Sequence, residues 1–293
     1  MHNMTTQTVG RVGQLWRFPV KSMAGEQVSQ VQIDDNGVAG DRGWAVREAG
    51  DTRSAKQMPR LLQFAARYLE EPNLDRRSPV VELTLPDNES LTSADEDVHR
   101  RLSEVLGRGV VLTSVRPADD LDHYRRRPPD PNAEPAPGFH EVMGMEEGDP
   151  MPDFGAIEMD VLQQYSSPPG TYFDCFPIHI MTTASLNELA TLGGGEDVDV
   201  RRFRPNVLID TGDAHGLLEV DWTGKQLRMG GVTIELMSTA VRCSMPAHAQ
   251  REFGASRAVG RTLIEHTKQH LGSYCNVVEG GTVNVGDEVV LIG

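Results

Sequence analysis

Cysteine is scarce in this chain of 293 residues, which has only Cys175, Cys243 and Cys275. None belongs to a CxxC pair, and no short spacing with histidine suits zinc. An odd, low count argues against a disulfide framework and for a reducing compartment, with at least one thiol free. Long apolar runs are missing too. No window reaches the roughly 18 apolar residues that a membrane-spanning helix needs. Residues 1–10 lack the basic start and apolar run of a secretory signal and read as a short disordered tail. These absences together predict a cytoplasmic protein that does not engage a membrane. Positive charge is short as well: 28 Lys and Arg stand against 43 Asp and Glu, a net charge of −15. Such an acidic chain is a poor match for nucleic acid. The common catalytic fingerprints are absent: there is no GxxxxGK[ST], no GxGxxG after a strand, no HExxH and no GxSxG.

What is present is mostly strand signal. Residues 9–17 and 28–33 alternate as strands, interrupted by Phe18-Pro19-Val20-Lys21-Ser22 and followed by the turn Asp34-Asp35-Asn36-Gly37. Residues 44–46, 61–69, 80–85 and 110–115 read as further strands, and 95–106 as a helix. Residues 9–115 therefore form a mainly β domain. Residues 116–169 change character. A run opened by Arg125-Arg126-Arg127-Pro128-Pro129-Asp130-Pro131 leads into an acidic stretch with Glu146, Glu147 and Asp149, which reads as a linker or excursion. The basic triplet itself reads as a solvated turn.

Residues 170–293 form the second domain. Thr182 or Thr183 caps a helix that runs to Thr191, and Gly193-Gly194-Gly195 ends it rather than cradling phosphate. A buried strand spans 207–209, and Gly230-Gly231 joins strands 227–229 and 232–237 in a hairpin. A helix over 258–271 stops at Gly272, and short strands over 277–278, 283–285 and 289–292 close the chain. Many short strands with glycine turns predict a closed barrel with flanking helices, an α+β but mainly β architecture.

Four segments carry reactive or anion-binding groups outside regular elements. In the first, Pro19 fixes the loop from which Lys21 and Ser22 project toward an oxyanion, although Lys-Ser pairs also occur in plain surface turns. The second has Asp41 and Arg42, which pair to lock a turn, and Lys56, the better candidate for an anion. The third is Arg201-Arg202-Phe203-Arg204-Pro205-Asn206, ahead of a buried strand. A structural reading requires a carboxylate for each arginine. The alternative is an anionic ligand, with Asn206 offering donor and acceptor to a heterocycle edge. The fourth is Arg242-Cys243-Ser244-Met245-Pro246. A neighbouring cation favours thiolate at Cys243, the form that binds metal; the plain alternative is a buried apolar cysteine. His179 reads as a structural histidine.

Taken together these pieces resemble the MOSC-domain proteins in their two-part form, with an MOSC N-terminal β-barrel domain, as in the mitochondrial amidoxime-reducing component and YcbX-like relatives. Leu15-Trp16-Arg17-Phe18-Pro19-Val20-Lys21-Ser22, Gly40-Asp41-Arg42 and Gln57-Met58-Pro59-Arg60-Leu61 carry the likeness in the first half. Phe203-Arg204-Pro205-Asn206, Arg242-Cys243 and Gly281-Thr282-Val283-Asn284-Val285-Gly286-Asp287 carry it in the second. The resemblance implies a molybdenum cofactor (Mo-molybdopterin) between the two domains, with Cys243 as the protein's sulfur ligand to the metal and the catalytic residue. It further implies that Lys21, Ser22, Lys56, Thr182 and Thr183 hold the cofactor's phosphate and pterin, together with Arg202, Arg204, Asn206 and Arg242. Lys56 stands where relatives carry arginine, and Val241 where they carry serine.

The implied activity is an oxidoreductase that reduces N-hydroxylated or N-oxygenated small molecules. No haem, flavin or iron–sulfur motif is visible, so electrons are expected from separate proteins. The alternative is a carrier of cofactor or sulfur using a Cys243 persulfide. The absence of a pyridoxal-phosphate domain weakens that reading.

Overall fold

The structure, a computed structural model, describes residues 5–128 and 137–293. Pro129, Asp130 and Pro131 of the Pro-rich opening lie outside the described residues. The fold is mainly β, and its centre is a closed barrel of seven strands. In chain order these are β1 (Thr6–Arg17), β2 (Ile178–Thr182), β3 (Val207–Asp210), β4 (Gln226–Met229), β5 (Val232–Val241), β6 (His270–Glu279) and β7 (Glu288–Ile292). Around the barrel the order is β3-β2-β6-β5-β4-β7-β1, and β1 pairs back onto β3. Only β2 and β3 run parallel; every other neighbour is antiparallel.

Period-two alternation drives each strand's inner face into one core. In β4, Leu227 and Met229 are buried between the more exposed Gln226 and Arg228. Val12 and Leu15 of β1, Ile180 of β2 and Ile209 of β3 meet the same cluster. Each such side chain contributes about 1.5–3 kcal/mol by leaving water. Closure also leaves these strands no free edge for another chain to pair with.

The rest of the first half packs as a second lobe. Strands Trp44–Glu48 and Val111–Ser114 pair, as do Ala65–Tyr68, Val81–Thr84 and Ser90–Thr92. The helix Val98–Leu106 lays Val98 and Leu102 onto this core. The lobes are laced together, because Gln30–Asp34 pairs with Gly281–Asn284 from far along the chain. Among the described residues no helix is long and apolar enough to cross a membrane.

Three local readings of the sequence change. Residues 6–8, expected in a tail, belong to β1, with Thr6 opposite Ile292. The stretch 61–69 begins as a 3-10 turn, Pro59–Gln63, because Pro59 starts a helical turn readily; the strand covers only Ala65–Tyr68. The last helix ends early, at Thr267, where Lys268 and Gln269 adopt left-handed backbone; residues 270 and 271 then open the long strand β6.

Candidate functional site

Loops at strand ends bring the reactive groups together. Lys21 and Ser22 follow β1, Asp174 and Cys175 precede β2, Arg204 and Asn206 precede β3, and Arg242 and Cys243 follow β5. They surround one cavity of about 180 Å³. Ser22 also organises the neighbouring loop, since its Oγ accepts from the Ala55 amide at 2.9 Å, next to Lys56. Three non-glycine residues of the cavity wall sit in left-handed backbone: Ser22 (φ 69°), Arg42 (φ 50°) and Arg204 (φ 58°). Each such conformation costs about 1–3 kcal/mol and concentrates where function demands a fixed geometry.

The charges are unbalanced. The Lys21 ammonium donates to the Tyr172 carbonyl at 2.7 Å and to Asp174 Oδ1 at 2.5 Å, and Lys56 reaches Asp174 Oδ2 at 3.4 Å. One carboxylate thus serves two of the chain's four lysines. Burial pushes the Asp174 carboxyl up, but the two lysines outweigh it and hold it well below the usual range. Asp174 in turn raises Lys56, keeping it protonated. Arg42 pairs with Asp41, whose other oxygen accepts the Phe18 amide at 2.8 Å, so the expected turn lock is present and also lines the cavity.

Arg204 and Arg242 have no carboxylate partner among the described residues. Arg204 Nη1 donates to the Met23 carbonyl at 2.5 Å while its guanidinium stacks 4.1 Å from the Phe18 ring centre. Arg242 Nη2 donates to the Phe203 carbonyl at 2.6 Å, and Nη1 lies 3.3 Å from His179 Nε2. Arginine only donates, so Nε2 accepts and the His179 proton sits on Nδ1, facing the Arg204 carbonyl at 3.4 Å. Burial and the adjacent Arg242 hold His179 neutral, far below its ordinary range. Arg204 Nη2, Asn206 Nδ2 and Arg242 Nε are buried with no hydrogen-bond partner among the described residues. Three orphaned donors, two of them on buried arginines and one on Asn206, in a chain of net charge −15, call for an anionic ligand with acceptor atoms.

Of the residues expected at the site, Lys21, Ser22, Lys56 and Cys243 line this cavity, as do Arg204, Asn206 and Arg242. Arg202 also reaches the wall, but its guanidinium is spent on backbone carbonyls of Asp197, Pro246, His248 and Gly254. Arg201 pairs with Asp199 and Glu252 away from the wall. Thr182 and Thr183 are not among the lining residues. Thr182 caps its helix by accepting from the Ser185 amide at 3.1 Å, and Thr183 bonds Thr211 at 3.1 Å. Sequence reasoning missed Asp174, which pairs with both Lys21 and Lys56 once the fold brings the three together. It also missed the apolar wall from the excursion, where Phe154, Ile157 and Leu162 stand. Cys175 lines the cavity too, and burial raises its thiol to about 11.

Comparison with known proteins identifies the family. The family model described as MOSC N-terminal beta barrel domain matches residues 9–124, and the MOSC domain model matches residues 168–290. The chain belongs to the MOSC-domain proteins. Mitochondrial amidoxime reducing component 2 of Rattus norvegicus is 25% identical across 97% of this chain and 83% of its own. The Homo sapiens component 2 is 26% identical across 97% and 84%, and Homo sapiens component 1 is 24% identical across 98% and 84%. Among solved structures, the YuaD protein from Bacillus subtilis superposes with a TM-score of 0.49 at 13% identity, over 99% of this chain and 98% of that one.

Proposed function

We propose that this MOSC protein is a molybdenum-cofactor-dependent oxidoreductase that reduces N-oxygenated small molecules with electrons from separate proteins. The observation that carries the reading is the set of orphaned donors on Arg204, Asn206 and Arg242 around a cavity that also holds a free cysteine, Cys243. The donor set fits the group: an anionic phosphate and a heterocycle satisfy buried guanidinium and amide hydrogens, and a soft thiolate suits molybdenum. Lys21, Lys56, Arg204 and Arg242 would hold the phosphate, Asn206 the pterin edge, and Cys243 the metal. When bound, the cofactor supplies two-electron chemistry at the metal.

The chain's own residues set the conditions for that chemistry. Removing oxygen from an N–OH group consumes two protons with two electrons and releases water. Lys56 keeps its proton beside Asp174, and Asp174 stays ionised, so the pair offers a fixed dipole at the cavity wall. His179, neutral and accepting from Arg242, orients that guanidinium. Amidoxime reduction is named for the mitochondrial relatives, which supports N-hydroxylated compounds as the substrate class.

The test is molybdenum and pterin content after expression in a host that makes the cofactor, followed by amidoxime turnover with a reduced dye as electron donor. Near-stoichiometric metal and turnover in the wild type, both lost or spectrally altered in Cys243→Ser, are expected. No metal and no pterin in either protein would sink the reading, and a persulfide on Cys243 detected by mass spectrometry would replace it with a sulfur carrier.

A further inference from the structure

A second cavity, of about 170 Å³, meets the first at one residue, Arg204, which lines both. Cys243 takes no part in it. Its aromatic wall comes from the end of β1 and the residue just after: Trp16 and Phe18 lie ring over ring, with centroids 6.4 Å apart and planes within 16°. Gly25 keeps this wall open, because a Cβ there would lie 2.5 Å from the Phe18 ring. Arg201, Arg251 and Phe253 line it as well, the Arg201 guanidinium standing 4.4 Å from the Phe253 ring centre. The volume is below the roughly 300–1,000 Å³ of a drug-sized pocket, so it takes one small molecule.

The charges on this wall do not cancel. Arg201 is neutralised by Asp199 and by Glu252, the one carboxylate among the described lining residues. Arg251 meets only neutral acceptors: Nη1 donates to the carbonyls of Leu85 at 2.9 Å and Gln63 at 3.2 Å, and Nη2 to Asn88 Oδ1 at 2.6 Å. Those bonds fix the guanidinium in place without balancing its charge. Arg204 likewise has no carboxylate among the described residues, is 7% exposed, and keeps Nη2 unpartnered while its plane rests on Phe18. Two uncompensated guanidiniums thus share a small cavity with three aromatic rings. A bare inorganic anion would answer the charge and leave the rings in water. A neutral aromatic molecule would cover the rings and leave the arginines unpaired.

We infer that this cavity is a second ligand site, taking a small planar aromatic carboxylate with its ring among the aromatic side chains and its carboxylate facing Arg204 and Arg251. Planar guanidinium suits a carboxylate in geometry as well as charge, and the rings add stacking area at little entropic cost. The site is independent of the reductase reading, since neither the cofactor nor Cys243 enters it. Gln27, exposed on the same wall, sets the local charge without holding the fold.

Titration of 2-naphthoate into the full-length protein tests this, read by calorimetry and by the indole N–H resonances of the three tryptophans. The Trp16 resonance is expected to move with saturation, while those of Trp44 and Trp222, which lie outside the cavity, stay in place. The neutral counterpart 2-naphthylmethanol should bind on the order of tenfold more weakly. Gln27→Glu weakens naphthoate by about three- to tenfold and Gln27→Lys strengthens it by a similar factor, through charge alone. Lys56→Gln, which removes a cation from the first cavity, leaves naphthoate binding unchanged. The inference is overturned by the absence of saturable binding, by equal affinity for naphthoate and the alcohol, or by a stationary Trp16 resonance. Binding that falls in Lys56→Gln and ignores both Gln27 variants also overturns it, because the anion then sits in the first cavity.

Discussion

Replacing Arg202 with methionine distinguishes a scaffold from a ligand contact. The sequence places this arginine among the residues that hold the cofactor, yet its donors go to four carbonyls: Asp197 at 2.8 Å, Gly254 at 3.0 Å, Pro246 at 3.2 Å and His248 at 3.4 Å. The residue is 2% exposed, so little water can replace those bonds. Three of the carbonyls belong to the segment just after Cys243, which one side chain therefore gathers into shape. A hydrogen bond from a charged donor is worth about 1.5–3 kcal/mol net, but four on one group do not add. The loss of a buried charged hub is about 3–5 kcal/mol, tempered here because methionine fills part of the volume. Arg202→Lys keeps the charge but reaches fewer carbonyls, so it loses about 2–3 kcal/mol. Urea unfolding followed by tryptophan fluorescence reads these as falls in midpoint of about 1–2 M. Cys243 should also react faster with a disulfide reagent as its loop loosens. Arg202→Met with wild-type stability and thiol reactivity, but without bound pterin, would refute the scaffold assignment and restore the ligand one.

Two further outcomes follow from the packing. His123 accepts from Arg47 through Nδ1 at 2.6 Å and donates to the Tyr172 hydroxyl through Nε2 at 2.7 Å; burial and Arg47 lower it from 6.5 to about 4. Its neutral form is favoured by folding, so its contribution is present above the unfolded value of about 6.5 and is lost as pH falls toward about 4. Denaturation midpoints measured across that window should fall less steeply in His123→Gln than in the wild type. Gly272, in β6 at φ 80°, leaves no room for a methyl group: a Cβ there would lie 2.5 Å from His179 Nε2 and 2.7 Å from the Ile180 carbonyl. Gly272→Ala should cost about 2–4 kcal/mol in thermal or chemical unfolding and displace the imidazole that accepts from Arg242, lowering pterin content.

The parts of the site legible in the sequence were those with an electrostatic anomaly. Arg204 stood out as costly to bury without a carboxylate and Arg242 as the cation beside Cys243, and among the described residues neither has a carboxylate partner. The hairpin at Gly230-Gly231 and the helix cap at Thr182 were local signals and stand where local physics puts them. The site's remaining parts depend on distant chain segments. Asp174 gains meaning only when the fold carries it to Lys21 and Lys56. Phe154, Ile157 and Leu162 lie in a stretch read as a linker or excursion, and only the fold sets them on the cavity wall. Gly272 signals a helix stop in sequence, but what it provides is close approach between β6 and β2.

Barrel closure carries a consequence for how the chain is made. β1 precedes both of its barrel neighbours, β3 and β7, in the chain, so Leu15 waits for Val207 and Thr6 waits for Ile292. Such distant pairings pay their loop-closure entropy before any contact repays it, and they slow folding. Until β3 and β7 are in place, β1 has only the short strand Glu26–Val28 to pair with, through Leu15, Trp16 and Arg17. Loss of β7 would leave β1 without one of its two barrel neighbours, with the cationic loop at Lys21 hanging from its end.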